Sequence, residues 1–99
     1  RSTECHNQDK VSMGTIAARD CLRILELTET VAAIGALALC QAVDLRAGAN
    51  CHRRSRAMHA AVRAQVAMVD ADRRQDHDIA ALLAMYRDGA LPIGEVDWR

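Results

Sequence analysis

An all-α fold is what this sequence predicts: one very long helix, then a C-terminal helical hairpin, the whole forming part of a larger helical bundle. Three observations predict it. The chain is 51% hydrophobic but only 2% aromatic, with no Phe and one Pro, so its apolar mass comes from Ala, Leu, Val, Ile and Met, the residues of helices. The positions Met13, Ala17, Asp20, Ile24, Leu27, Val31, Ile34, Ala38, Gln41 and Leu45 step by fours and threes, which is a heptad-like stripe on one helix. That helix is also too long for its chain. Some 33 residues at 1.5 Å each make a rod of about 50 Å, whereas a compact domain of about 100 residues has a radius of gyration of about 13 Å. Two short helices cannot wrap such a rod, so other chain must cover it.

Three parts follow in order. Residues 1–11 are polar, without period, and read as a loop. Residues 12–46 form the long core helix, with Ser12 as N-cap. Arg19, Arg23, Glu26 and Thr30 lie opposite the apolar stripe in its first half, and VAAIGALALC (31–40) is apolar all the way round. A membrane span needs about 20 such residues, and Gln41 and Asp44 end the run early, so it reads as helix buried in protein. Residues 47–99 hold the helical pair and a tail. AGANCHRRS (47–55) is a loop marked by Gly48 and Asn50; Arg56 to about Val69 is helical, with Met58, Val62, Val66 and Val69 on one side. After a charged break at 70–75, Asp76 is the expected cap of a third helix carrying Ile79, Leu82, Leu83 and Tyr86, and Arg87, Gly89 and Pro92 stop it. The tail holds the single tryptophan, Trp98, expected to pack on a neighbour.

Thirteen basic and thirteen acidic groups cancel, which removes any global field toward a polyanion. Cys21 and Cys40 fall inside the helical pattern and read as small buried hydrophobes. Together with Cys5 and Cys51 they are expected to be reduced thiols of a cytoplasmic protein. The chain begins without Met and in mid-motif, which reads as a piece of something longer.

Most chemical motifs fail on spacing. Cys5–His6 and Cys51–His52 suggest zinc, but structural zinc sites separate paired ligands by two to four residues, so no metal is expected. His59 and His77 read as surface residues. Arg53, Arg54, Arg56 and Arg63 make a basic patch without stacking aromatics, so it is expected to meet carboxylates and not nucleic acid. No phosphate loop or nucleophile elbow is present, and a Cys–His dyad on Cys5 or Cys51 would need a distant His. What remains is Glu4, His6, Asn7, Gln8, Asp9 and Lys10. On a local helix Glu4 and Gln8, four apart, would project together toward an amine or carbonyl; the same residues also suit a plain polar cap.

STECHNQDKVSMGTIAAR (2–19) resembles the C-terminal signature of the aromatic amino-acid ammonia-lyase and aminomutase family, whose members include histidine, phenylalanine and tyrosine ammonia-lyases. Asn7-Gln8-Asp9, Val11-Ser12-Met13-Gly14 and Ala17-Ala18-Arg19 carry the resemblance, followed by Gln41–Arg46 and by Asp72-Arg73 and Asp78-Ile79. It spans the chain in order, yet corresponds only to the last portion of a much longer family member. The resemblance implies a helical-bundle enzyme, a homotetramer whose long helices pack centrally. Its electrophile is a methylidene-imidazolone (MIO) made from an internal Ala-Ser-Gly, and its reaction releases ammonia from an aromatic amino acid to leave an arylacrylate. Aminomutases re-add the amine.

By the same resemblance Glu4 matches a pocket position at the substrate amine, Gln8 a second position one turn on and close to the MIO, and Asn7 a supporting neighbour. Histidine lyases usually carry Glu where Gln8 stands, so Gln8 favours Phe or Tyr type substrates. The 99 residues contain no Ala-Ser-Gly, cannot make the MIO, and are expected to be inactive alone. The expected partners are the remainder of the parent chain, its symmetry mates and an aromatic amino acid. The competing reading is a non-catalytic helical oligomerisation module.

Overall fold

The computed structural model describes residues 13–46 and 51–94. Among them are three helices, α1 (Gly14–Leu45), α2 (Arg53–Arg63) and α3 (Asp76–Arg87), and no strand. The fold is all-α, as the composition and periodicity require.

α1 runs unbroken for 32 residues, about 48 Å at 1.5 Å per residue. Thr28 and Thr30 are tolerated inside it because each hydroxyl donates to the carbonyl four residues back, of Ile24 (2.8 Å) and Glu26 (2.9 Å). The residue before the helix is Met13, with near-helical dihedrals and no side-chain cap. Ser12, the expected cap, lies outside the described residues.

The hairpin departs from expectation at its ends. α2 begins at Arg53, three residues early, because the His52 ring nitrogen Nδ1 accepts the Arg54 backbone N–H (3.3 Å) and caps the helix. It stops at Arg63 instead of running to Val69. The reason is Arg63 itself: its guanidinium Nη1 donates to the carbonyls of Val66 (3.2 Å) and Ala67 (3.4 Å), satisfying acceptors just past the helix end. For α3 the cap position is Gln75, and Asp76 is the first helical residue, paired with Arg74. Asp76 and Asp78 in the first turn and Arg87 in the last suit the helix dipole. The end of α3 is a Schellman turn. Ala90 donates to Met85 (2.9 Å) and Gly89 to Tyr86 (3.1 Å), with Gly89 at φ +67°, the left-handed conformation such a turn needs.

The core is small and lies at the C-terminal half of α1. Ala33, Leu37 and Cys40 meet Val62 of α2, Val66 just beyond it, and Leu82 of α3, with Met58, Ile79 and Leu83 flanking. Glu29 and Arg87 close the α1–α3 contact with a 2.7 Å ion pair. Cys40 is buried as expected, whereas Cys21 is exposed, so the helical pattern around it does not make it a core residue. Tyr86, which shares the helix face of Ile79, Leu82 and Leu83, is exposed.

The residues that α1 buries are not its heptad stripe. At 100° per residue the buried set (Ala33, Leu37, Cys40) lies roughly 135° around the helix from the stripe through Ile24, Leu27, Val31 and Ile34. Those four residues are exposed, as are Leu22, Leu25 and Leu39, whereas Gln41 further along the stripe is half-buried. Burial of 31–40 on every side is therefore not achieved by this hairpin, which covers one side only. The Cα radius of gyration of 19.5 Å and extents of 64 × 41 × 22 Å exceed the roughly 13 Å radius of a compact chain of this size. No described helix is long and apolar enough to cross a membrane.

Candidate functional site

Glu4, Asn7 and Gln8 lie outside the described residues, as do Cys5 and His6. What the structure fixes is the place from which that segment enters, the N-terminal end of α1. There Met13, Ile16, Arg19, Asp20, Arg23 and Glu26 border an open hollow of about 890 Å³ formed on α1 alone. Both flanking apolar side chains, Met13 and Ile16, are exposed. Neither α2 nor α3 reaches this end. From Gly14 to Asp44 the helix rises about 45 Å, which separates this hollow from the Asp44 end of α1.

At the other end of α1 a second polar cluster fastens it to the hairpin. Asp44 takes His59 Nε2 on one oxygen (2.6 Å) and the Arg63 guanidinium on the other (Nε at 2.7 Å). Gln41, one turn earlier, pairs with the backbone of Val69 as a strand would: its Nε2 donates to the Val69 carbonyl (2.8 Å) and its Oε1 accepts the Val69 N–H (3.1 Å). Arg63 Nη2 also reaches Gln41 Oε1 at 3.4 Å. Partial burial works to raise the Asp44 carboxyl, but the bonds from Arg63 and His59 outweigh it and hold the group below the usual carboxylate range. Burial pushes the nearby Cys40 thiol up, against the pull of Arg63 and with the help of Asp44, which leaves it a poor nucleophile.

This cluster corrects the reading of His59 as a plain surface residue; it is half-buried and bonded across two helices. It also supplies the carboxylate expected for one arginine of the basic patch, Arg63. Arg54 instead donates to the Ile93 carbonyl (3.2 Å). The signal for the cluster was present in the sequence. Gln41 and Asp44 sit three apart on an otherwise apolar helix end, and His59 and Arg63 four apart on an Ala-rich one, spacings that put each pair on one face. Asp78 does similar work at α3, where its covered Oδ2 lies 2.6 Å from Arg73 Nη1, an ion contact outside hydrogen-bond alignment. Among the described residues no group of His, Cys, Asp or Glu could hold a metal ion.

A long helix stapled at one end by a hairpin, with a polar segment entering at the other, defines a piece of a helical-bundle protein and not a closed globule. The family model for aromatic amino acid lyases matches residues 1–64, and the chain belongs to that family. It is 46% identical over 87 residues to a tyrosine ammonia-lyase of Cupriavidus metallidurans, covering 86% of this chain and 16% of the relative. It is 40% identical over 90 residues to a histidine ammonia-lyase of Koribacter versatilis, covering 91% and 17%. A tyrosine ammonia-lyase of Cereibacter sphaeroides is 42% identical over 84 residues, 82% of this chain and 16% of its own length. The chain thus spans about a sixth of the curated relatives it matches. No solved structure gives a significant match.

The MIO implied by the family does not fit within these residues. They contain no Ala-Ser-Gly, and the described N-terminal hollow is a surface of one helix with no enclosing wall.

Proposed function

We propose that this chain is the C-terminal part of an ammonia-lyase acting on an aromatic L-amino acid of Phe or Tyr type, releasing ammonia and an arylacrylate. The observation that carries the reading is the family match over residues 1–64, which takes in both the Glu4–Gln8 segment and α1. In this reading Glu4 meets the amine of the substrate, Gln8 lies one helical turn on, and Asn7 supports them. The rest of the parent chain supplies the MIO and the walls of the pocket. The exposed stripe of α1 is the tetramer core, which agrees with its distance from the face that the hairpin covers. The parent works in the cytoplasm.

Gln8 supports Phe or Tyr over histidine, and a relative named tyrosine ammonia-lyase is 46% identical. A histidine substrate is the second reading, favoured by the 40% identity to a relative of that name. One substitution in the parent separates them. A neutral amide and a carboxylate at this position discriminate differently against a polar imidazole ring, and buried polar mismatches of this kind are strongly felt. Gln8→Glu should lower kcat/KM for tyrosine or phenylalanine and raise it for histidine, moving the ratio by at least about tenfold, on the order of 1.4 kcal/mol. An unchanged ratio would remove Gln8 from the pocket, and a parent gene without Ala-Ser-Gly would leave the non-catalytic module in its place.

A further inference from the structure

The stripe of α1 has two polar members, Asp20 and Gln41. They stand almost symmetrically about Val31, eleven residues before it and ten after. Asp20 is exposed, and among the described residues it makes no ion pair. Gln41 lies at the edge of the stripe nearer the hairpin and is half-buried. Its Nε2 gives one hydrogen to the Val69 carbonyl (2.8 Å) and, as a primary amide, carries a second. The Arg63 guanidinium reaches Gln41 Oε1 at 3.4 Å, so a positive charge sits beside the same amide. A carboxylate approaching that amide would find a donor and a cation together.

The partner that fits is a second copy of α1. The stripe lies roughly 135° from the face that α2 and α3 cover, so two copies can press stripe to stripe with their hairpins on the outside. Set antiparallel about Val31, apolar meets apolar: Val31 its counterpart, Leu27 the partner's Ile34, and Ile24 the partner's Ala38. In that register Asp20 meets the partner's Gln41. A parallel pair in register sets Asp20 against Asp20, a juxtaposition of like charges. Sliding either arrangement by one heptad sets Asp20 or Gln41 against Leu27 or Ile34, and taking a carboxylate out of water against such a side chain is costly. Only the antiparallel pair centred on Val31 matches the two kinds of polar residue to each other.

We infer that α1 pairs with α1 of a second copy in antiparallel orientation, with Asp20 of each chain against Gln41 of the other and Arg63 as the nearest cation. A lone polar position in an apolar seam selects register and orientation at a cost in affinity, and Asp20 does so here. The inference rests on the reading of the stripe as the core of an assembly. It adds the direction and register of the pair and involves no catalytic step.

Disulfide formation under mild oxidation in the whole polypeptide tests it, with the linked peptides identified by mass. Val31→Cys should link position 31 to position 31 of the partner. In the double variant Leu27→Cys/Ile34→Cys, position 27 of one chain should link to position 34 of the other at least about tenfold more than 27 to 27. The two positions are about 10.5 Å apart along one helix, too far for a disulfide within the chain. Adding Asp20→Leu should lower that preference at least about fivefold, because the polar match is what excludes the other pairings. The same substitution should leave the position 31 link in place. Links of 27 to 27 and 34 to 34 overturn the inference and leave the stripe standing as an interface. An orientation that Asp20→Leu does not change also overturns it. No link at position 31 overturns the pairing of stripes altogether, an outcome separate from the substrate ratio that Gln8→Glu reports.

Discussion

The exposed stripe of α1 makes the most direct prediction. Ile24, Leu27, Val31 and Ile34 are between 47% and 69% exposed, and full burial of such a side chain contributes about 1.5–3 kcal/mol. The four together therefore hold roughly 3.5–7 kcal/mol of unrealised burial per chain. Released as a 99-residue polypeptide, the chain should associate or collapse onto itself at micromolar concentration. Replacing the four with Gln should weaken that association by about three to five decades, at about 1.4 kcal/mol per tenfold, and leave helix content intact, because none of them faces α2 or α3. Sedimentation velocity gives the first quantity and circular dichroism the second. Small-angle scattering adds a third observable, since the isolated chain should not show the roughly 13 Å radius of a compact domain. A dilute monomer of that radius, or a quadruple variant that associates as tightly as the parent sequence, would refute the reasoning.

Leu82 is buried at the centre of the small core; Leu82→Ala should cost about 2–5 kcal/mol, read as accelerated amide exchange across α3. Gly89→Ala forces a β-carbon into φ +67° and should cost about 1–2 kcal/mol. A lower thermal midpoint would report it, and backbone angle alone would be the cause, because the space beside Gly89 is open. The Asp44 carboxyl is held below its ordinary value, so the stability it contributes is present above an unfolded value of about 3.9 and is lost as pH falls through the folded one. The α1–α2 junction should therefore loosen in acid, and Asp44→Asn should flatten that response in an amide-exchange titration; an acid response left unchanged by Asp44→Asn would contradict the assignment.

Element identity was legible because it rests on period and composition, which α1 displays for about nine turns. The limits of the hairpin helices were not, and for a specific reason. Arg53, Arg54 and Arg56 read as poor company for a helix N-terminus, yet His52 caps the helix directly before them. Val66 and Val69 keep helical spacing with Val62, yet Arg63 and Gln41 take up the backbone groups of residues 66–69 that a longer helix would have used. In both places a side chain displaced the backbone's own pairing, and such competition depends on contacts across the fold that spacing does not encode. The candidate site was legible only by resemblance, because Glu4, Asn7 and Gln8 have no periodic signal of their own.

The two polar positions that interrupt the apolar end of α1 show why the long helix is built as it is. A helix apolar on every side could slide or rotate against its neighbours at little cost. Gln41 and Asp44 remove that freedom on one face, since each satisfies its partners only in one register against α2 and residue 69, and a slip of one residue would leave part-buried donors unpaired. The hairpin thus fixes the rotation of α1, and with it the direction in which the exposed stripe points, roughly 135° away. A rigid angle between those two faces lets one rod serve its own chain and another surface at once. Loss of Gln41 should accordingly disturb whatever packs on Leu27 and Val31 as well as the junction it touches.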